Sequence, residues 1–339
     1  MTLYCGIDLH STNNYLGIYD QDDREVMSKR LPNDLATVLR SLEPYREELA
    51  GIAVESTYNW YWLVDGLRDH NYNVVLANPA ANTQYNGLKY TDDHYDSRWL
   101  AQMLRLGILK SGYIYPPEER PIRDLLRKRM RMVQSRTAQI LSLQNIISRN
   151  TGQNLKWRKI EEITDEGMEE LFNENKLLVM AARVTSKAIS TFNEQISVIE
   201  KTVKAEAKVR PEFKLLKSIY GVGTILGLTI MYETGEISRF SEVGDFCSYA
   251  RCVGSRRISN GKKKGENNTK NGNRFLAWAF VEAANHACWK YVQARAFVQR
   301  KSAKANYTLA IKALAHKLAR ASYYVMRDQV EFDPARLFG

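Results

Sequence analysis

The run TDDHYDSR at residues 91–98 places three aspartates within five positions, and two of them have a spacing suited to chemistry. Asp93 and Asp96 are three residues apart at the start of an expected helix, so their side chains face the same way. Two further acids interrupt apolar strands, Asp8 in YCGIDLH and Glu55 at the end of GIAVE. Four carboxylates supply the hard oxygen ligands that Mg²⁺ prefers, and two such ions can clamp the attacking and leaving oxygens of a phosphodiester.

Each of these acids also has a purely structural interpretation. Asp8 could anchor the following turn through Ser11, and Glu55 could lie at an exposed strand end. Asp92 and Asp93 could be helix-start acids, stabilised by the helix dipole by less than about 1 kcal/mol, with Thr91 as the cap. Asp8 fits this interpretation least well, because a buried charge is costly unless it is paired or metal-bound. The joint order of strand Asp, strand Glu and helix Asp-x-x-Asp favours the metal site.

The elements that must position these acids alternate between strand and helix over residues 1–115. LYCGIDL, NYLGIYD and REVMSKRL read as a meander, followed by the helical DLATVLRSLEPYREEL, the strand GIAVE, the helix YNWYWLVDGLRDH and the strand NVVLANP. The order β-β-β-α-β-α-β-α predicts an α/β domain built on a mixed sheet.

Residues 116–206 change to long helices with heptad-like apolar spacing. The spaced positions are Leu126, Met130, Val133, Thr137, Ile140 and Ile147 in the first helix, and Leu178, Ala182, Thr185, Ile189, Phe192, Ile196, Ile199 and Val203 in the second. This pattern predicts either an antiparallel helical hairpin or an intermolecular coiled coil. Bases ring the first helix, and Arg123, Arg127, Lys128 and Arg131 are candidate contacts to a phosphate backbone, although a solvated face explains some of them.

Residues 207–339 are predicted to be a small, mainly helical domain. A helix–Gly221-Val222-Gly223–helix string has the form of a helix-hairpin-helix element, whose turn can offer backbone N–H groups to a phosphate. Two packed helices joined by glycines would give the same string. Next comes a basic segment, residues 251–274, with eight bases and one acid, which reads as a loop. Its candidate nucleic-acid contacts are Arg256, Arg257, Lys262, Lys263, Lys264, Lys270 and Arg274.

The charge of the chain is divided unevenly. The net charge is +11, but residues 1–115 carry 15 acids and 10 bases, whereas residues 116–339 carry 23 acids and 39 bases. An acidic pocket beside a polycationic body suits a metal-dependent nucleic-acid enzyme. No apolar run is long enough to span a membrane, the first residues do not resemble a signal peptide, and the four cysteines are scattered. We therefore expect a cytoplasmic protein without a membrane partner.

Several segments together resemble one known family. GIDLHSTNN, AVESTYNWYWL, DHYDSRWLAQMLR, LKSIYGVGTILG and SNGKKKGENNTKNGN followed by VEAA are similar to the DEDD transposases of insertion-sequence family one-ten, in its broader branch of bridge-RNA-guided recombinases, relatives of the pilin-gene invertases. The resemblance spans about residues 4–285. It implies an RNase H-like (RuvC-like) catalytic domain at 1–115, a coiled-coil arm at 116–206 and a C-terminal transposase domain at 207–339.

The resemblance also implies the roles of individual residues. Asp8, Glu55, Asp93 and Asp96 match the metal-binding tetrad, with Mg²⁺ as the ion and Mn²⁺ as a substitute. The usual lead-in to the third acid is Lys-Thr-Asp, whereas the string here is Tyr90-Thr91-Asp92-Asp93. Asp92 would be the ligand if Thr-Asp alone set the register, but only Asp93 keeps the three-residue spacing to Asp96.

A nucleophilic serine is the second implied catalytic group. Thr269-Lys270-Asn271-Gly272-Asn273 matches the anchor string, and Ser259-Asn260-Gly261 supplies the serine, with an asparagine inserted into the usual Ser-Gly. Ser255 is the weaker candidate. Serines that only hydrogen-bond backbone are common in loops, so Ser259 is singled out by the resemblance alone.

The implied activity is RNA-guided strand exchange through a covalent phosphoserine. Its implied partners are donor and target DNA, a structured noncoding guide (bridge) RNA, and further copies of the chain, a dimer assembling to a tetramer in which tetrad and serine come from different protomers. The implied location is the nucleoid of a bacterium or archaeon. The alternatives are a metal-dependent nuclease or junction resolvase with water as nucleophile, and a binding protein whose acids are structural.

Overall fold

A computed structural model describes residues 1–79, 81–82, 92–255, 257–265 and 271–338, except for the side chains of Arg257 and Lys263. The chain divides into two compact units, Met1–Pro117 and Glu118–Gly339. Within the described residues, no helix combines the length and apolar character that crossing a membrane requires.

The first unit is built on a five-stranded sheet with the order β3-β2-β1-β4-β5. Its elements are β1 (Leu3–Leu9), β2 (Asn13–Asp20), β3 (Glu25–Pro32), α1 (Leu35–Leu42), a 3₁₀ turn (Glu43–Glu48), β4 (Leu49–Glu55), α2 (Tyr61–Asp69), β5 (Val74–Ala77) and α3 (Asp93–Arg105). β1, β2 and β3 form an antiparallel meander, whereas β4 and β5 run parallel to β1. The mixed α/β sheet predicted from the sequence is confirmed, and it is consistent with an RNase H-like domain.

Apolar residues cover one face of this sheet with α1 and α2. Ile7, Leu16, Val38 and Leu63 are among the completely buried members of that core, which also includes Trp60. The alternation of strand side chains therefore leaves the other face free for α3.

The second unit begins with a long helical hairpin. Its elements are a 3₁₀ turn (Pro117–Glu119), α4 (Arg120–Thr151), α5 (Trp157–Glu161), α6 (Asp165–Leu171) and α7 (Lys176–Glu206). α4 ends at Gly152, whose φ of 73° provides the left-handed cap that glycine adopts without strain. Arg129 contacts Glu200 and Arg136 contacts Asn193, so α4 and α7 run antiparallel.

The heptad positions of the outer part of the hairpin face inward and are buried or half-buried. Ile140 and Ile147 of α4 share a core with Ala182 and Ile189 of α7, and α5 and α6 close its far end. Of the two arrangements that the spacing allowed, the described chain shows the helical hairpin; a coiled coil between chains stays a prediction.

The remaining elements form a helical domain around α9. They are α8 (Glu212–Leu216), α9 (Thr224–Thr234), a 3₁₀ turn (Ile237–Arg239), α10 (Val243–Tyr249), β6 (Arg257–Ser259), β7 (Lys262–Gly265), α11 (Arg274–Lys290), α12 (Val292–Ser302), α13 (Tyr307–Asp328) and α14 (Pro334–Phe338). α9 is apolar on nearly all sides and is buried from Leu226 to Thr234, as expected of a central helix.

Candidate active site

A row of small residues lets α3 rest directly on the open face of the sheet. Gly6 of β1 is paired with Gly17 of β2 and with Ala53 of β4. A Cβ atom at Gly6 would lie 1.9 Å from the carbonyl oxygen of Ser97 in α3, which no side chain allows. Because side chains alternate along a strand, the residues two positions after Gly6 and Ala53 lie on this same face. Those residues are Asp8 and Glu55.

Asp8 and Glu55 are neighbouring acids that both resist ionisation. Asp8 is 2% exposed, and Glu55 is half-buried at the end of β4. Burial raises the pKa of Asp8 above its ordinary value, with the nearby Asp96 and Asp93 adding to the effect. Burial, a hydrogen bond with Asp8 and the charges of Asp8 and Asp96 raise the pKa of Glu55 to about 7. The two carboxyl groups therefore lie in contact in a site that disfavours their joint negative charge.

The first turn of α3 gives its three aspartates different environments. Asp92 is the N-cap, and its carboxylate accepts a hydrogen bond from the backbone N–H of Tyr95 at 2.8 Å. Asp93 is directed to the sheet, where its Oδ1 lies 3.1 Å from Nε2 of His10 and its Oδ2 accepts from Arg30. Asp96 lies close enough to raise the pKa values of Asp8 and Glu55. Asp92 rather than Thr91 therefore caps the helix; Thr91 and Tyr90 lie outside the described residues.

His10 and Arg30 are members of the site that residue patterns did not identify. Nε2 of His10 lies 3.1 Å from Oδ2 of Asp8 as well as 3.1 Å from Asp93. Asp8, His10 and Asp93 form the one group of three ligand-type side chains close enough to share an ion among the described residues, and Glu55 and Asp96 lie outside that compact group. The available signal was position, because His10 follows Asp8 by two residues and keeps the same strand alternation. Arg30 had no such signal, since its contact depends on how β3 meets α3.

The donor set fits a divalent cation. Oδ2 of Asp8 is buried and accepts no hydrogen bond, although the imidazole of His10 lies nearby. A cation would relieve the unfavourable charge that raises the pKa values of Asp8 and Glu55, and oxygen donors suit a hard ion. The guanidinium of Arg30 supplies positive charge at this place in the protein itself.

The predicted nucleophile lies on a β-hairpin, so the prediction of a loop over residues 251–274 was wrong for part of it. Ser259 ends β6 and pairs with Lys262 of β7. The residues between them, Asn260 and Gly261, have φ values of 50° and 71°, which is the two-residue hairpin turn that Asn-Gly favours. The inserted asparagine is therefore a turn residue. Ser259 is exposed, whereas Oγ of Ser255 is buried and forms no hydrogen bond.

The candidate nucleic-acid contacts divide into engaged and exposed residues. Arg123 and Arg127 form ion pairs with Glu233, which is completely buried, so the prediction that they face phosphates is corrected. Exposed candidates are Lys128, Arg131, Lys262, Lys264 and Arg274. Arg256, Thr269 and Lys270 lie outside the described residues, as do the side chains of Arg257 and Lys263.

The Gly221-Val222-Gly223 turn is only partly available to a ligand. Gly221 has a φ of 81°, and a Cβ there would lie 2.0 Å from the carbonyl oxygen of Ala283 in α11. Glycine is therefore required here for close packing against α11, and a phosphate contact of Gly221 stays a prediction. Gly223 precedes α9 and has open space around it, so the N–H groups of that helix start remain a candidate.

Comparisons with known proteins agree on one group of mobile-element proteins. Residues 5–151 match a family model for the DEDD part of IS110 proteins, described as transposase. Residues 213–299 match a second model, described as transposase of the IS116/IS110/IS902 family. The chain is also 21% identical to the insertion element IS116 uncharacterized 44.8 kDa protein of Streptomyces clavuligerus, over 98% of this chain and 96% of that protein.

Proposed function

This chain belongs to the IS110 family of transposases of insertion elements, and from that premise we propose that it exchanges DNA strands through a covalent bond to Ser259. As a DNA transposase it acts on DNA and its DEDD family uses divalent metal ions. The proposal adds the ion, its ligands, the nucleophile and the partners.

The observation that carries the proposal is the meeting of strand acids and helix acids beneath α3. Asp8 and Glu55 are in contact, Asp93 reaches the same place through His10, and Asp96 acts on both strand acids. We assign these four carboxylates as the ligands of Mg²⁺, for which Mn²⁺ can substitute. The ion would supply positive charge at a scissile phosphate.

The side chains of the protein prepare this place in three ways. The carboxylates carry the negative charge that attracts a cation into a chain that is otherwise basic. The side chains of His10 and Arg30 hold Asp93 in position, because each contacts a different oxygen of its carboxylate. Asp92, as the cap, fixes the start of the helix that carries Asp93 and Asp96.

The chemical step falls to the exposed hydroxyl of Ser259. Its Oγ loses a proton and bonds to phosphorus, the bond from phosphorus to the 3′ oxygen breaks, and the released 3′ oxygen gains a proton. The product is a 5′-phosphoserine and a free 3′-hydroxyl, and attack by another 3′-hydroxyl on the phosphoserine restores the serine. Lys262 and Lys264, exposed on the same hairpin, offer cationic stabilisation to the phosphorane charge.

The proposed partners follow from the family and the charge of the chain. Donor and target DNA are selected by a structured guide RNA, and the acids and the serine that act on one phosphate come from different copies of the chain. Residues 116–339 carry 39 bases against 23 acids, which favours binding of several polyanionic strands.

The test is whether protein and DNA become covalently joined. RNA that co-purifies with the protein is sequenced, and the complex is incubated with end-labelled DNA of the element's own junction and Mg²⁺. A labelled band should migrate with the protein on a denaturing gel, and Ser259→Ala should abolish it. Ser255→Ala is the matched control and should keep the band.

Other outcomes would contradict specific parts of the proposal. An adduct that survives Ser259→Ala excludes this serine. Metal-dependent cleavage without any adduct indicates a nuclease that uses water. Absence of a discrete RNA species contradicts guidance by RNA.

A further inference from the structure

A cleft of about 610 Å³ lies in the second unit between α4, the Gly221-Val222-Gly223 turn and α11. Along α11 it is lined by one stripe of large polar and aromatic side chains. The members of that stripe are Trp278, Glu282, His286 and Trp289. They follow one another at steps of four, four and three residues, so they lie on a single face of the helix.

Trp289 is presented to solvent by a fixed backbone. Its residue is 79% exposed, an unusual position for so large an apolar ring. Arg295 donates hydrogen bonds to the carbonyl oxygens of Cys288 and Trp289 and so holds the last turn of α11. Next to it, Tyr291 stacks on Tyr220 with ring centroids 3.8 Å apart. The exposed indole therefore stands on an ordered support.

Positive charge lies around these rings. Lys217 and Lys290 are exposed at the cleft, and across the described chain neither forms an ion pair. Arg136 contributes a third cation, whose Nε is buried without a hydrogen-bond partner. Glu282 is the one acid of the lining. A site with this balance suits an anion that also carries an aromatic group.

We infer that this cleft binds unpaired nucleotides of a nucleic-acid strand, with a base stacked on Trp289 and phosphates beside Lys217 and Lys290; the inference rests on the proposed function, which requires strands to separate. Stacking on aromatic side chains combined with a cationic groove is the general way in which proteins hold single strands. The volume is in the range of small-molecule sites, so one or two nucleotides fit. The open helix start at Gly223 lies in the same lining.

The test separates stacking from charge. Binding of the full-length protein to fluorescein-labelled oligonucleotides of about 12 nucleotides is measured by fluorescence anisotropy. Oligothymidylate, oligouridylate and an abasic strand of equal length and charge are compared. Trp289→Ala should weaken binding of the base-bearing strands about tenfold and leave the abasic strand unchanged, whereas Trp289→Phe should stay close to the parent protein. The tighter of the two base-bearing strands assigns the site to DNA or to RNA.

A charge control uses two exposed lysines. Lys290→Gln should weaken the binding of all three strands by a similar factor. Lys312→Gln, on α13 outside the cleft lining, should not weaken the binding of any strand by that factor. Equal effects of Trp289→Ala on base-bearing and abasic strands, or no effect on either, would overturn the inference. A change of molar mass in light scattering caused by Trp289→Ala would instead assign the indole to a contact between chains.

The nucleotide cleft and the serine mechanism can be contradicted independently of each other. If Trp289→Ala leaves strand binding unchanged while the Ser259 adduct still forms, the nucleotide cleft is wrong and the proposed function stands. If base-dependent binding depends on Trp289 but no adduct forms, the cleft stands and the serine mechanism falls.

Discussion

Neighbouring aspartates at the start of α3 have roles that are set by one turn of backbone geometry. The carboxylate of Asp92 accepts a hydrogen bond from the backbone N–H of Tyr95, as an N-cap does. Asp93, the first residue inside the helix, is directed instead to His10 and Arg30 on the sheet. The residue spacing had favoured Asp93 over Asp92 as a ligand, and the use of Asp92 as cap supports that choice.

Substitution of these two neighbours should separate catalysis from stability. Asp93→Ala should lower metal-dependent strand cleavage roughly 100-fold or more, because one carboxylate of the proposed metal site is lost. DNA binding should persist. Asp92→Ala should leave most of the cleavage and cost about 1 kcal/mol of stability through loss of the cap. Cleavage rates and urea midpoints of both variants provide the measurement.

The opposite order of effects on cleavage would contradict the assignment of Asp93 as the metal ligand. Full cleavage in Asp93→Ala, together with loss in Asp92→Ala, would make Asp92 the ligand. Asp93→Asn is the closer control for volume, since it keeps the size of the side chain and removes only the charge.

At the scale of elements, residue patterns identified the strands and helices of the first unit, including both strand acids. They did not give the contacts of His10 or Arg30 with Asp93, because those join segments 83 and 63 residues apart and depend on how α3 lies on the sheet. The small residues Gly6 and Ala53, each two positions before an acid, were the signal for that placement. The dipeptide Asn260-Gly261 also indicated a hairpin turn. The short strands on either side were not predicted, because the segment around them is rich in charged residues.

The hairpin of α4 and α7 shows a different limit of sequence patterns. A heptad of apolar residues specifies that a helix has a partner and does not say whether the partner lies in the same chain. Ile189 and Ile196 are buried within the chain here. Polar substitutions at these positions therefore act first on the fold of the hairpin, and assembly into dimers has to be examined with exposed positions such as Leu177 and Val184.

The buried acid Glu233 connects the first part of α4 with the start of α11, the helix that follows the β-hairpin carrying Ser259. Glu233 of α9 accepts hydrogen bonds from Arg127 of α4, at 2.7 Å, and from the side chain of Asn273, also at 2.7 Å. Asn273 in turn caps α11, the helix that follows the β6–β7 hairpin in the chain. Burial opposes ionisation of Glu233, but the hydrogen bond from Arg127 and the charges of Arg123 and Arg127 outweigh it and lower its pKa.

This arrangement predicts a pH-dependent stability difference. A lowered folded-state pKa means that the ionised acid stabilises the fold above its unfolded-state pKa of about 4.3. Glu233→Gln should therefore cost about 3–5 kcal/mol near neutral pH, because two arginines lose their buried partner. The difference should shrink as the pH falls through the folded-state pKa. Urea unfolding of both proteins from pH 7 down to acid measures it; a constant difference would contradict the ion-pair interpretation.

For the whole molecule, the charge is separated along the chain so that the two units meet a polyanion differently. Residues 1–115 hold an excess of acids and residues 116–339 an excess of 16 bases. A cation at the acidic site lowers local repulsion of a phosphate, whereas the basic unit supplies long-range attraction. Affinity for nucleic acid and metal binding are therefore expected to reside in different parts of the chain.

Salt dependence tests that division. Because binding releases counterions, the logarithm of DNA affinity should fall linearly with the logarithm of salt concentration, by about 10³-fold or more between 50 and 200 mM if six or more phosphates are contacted. Asp8→Asn, which abolishes the charge of one proposed ligand, should keep the same slope while losing cleavage.

The matched comparison is the double variant Lys262→Gln/Lys264→Gln, on the β-hairpin that carries Ser259. This variant should make the slope shallower by up to about two phosphate contacts. Fluorescence anisotropy across a salt series in EDTA measures binding without cleavage. A slope that changes with Asp8 but not with the lysines would place the binding surface in the acidic unit and reverse the division of roles.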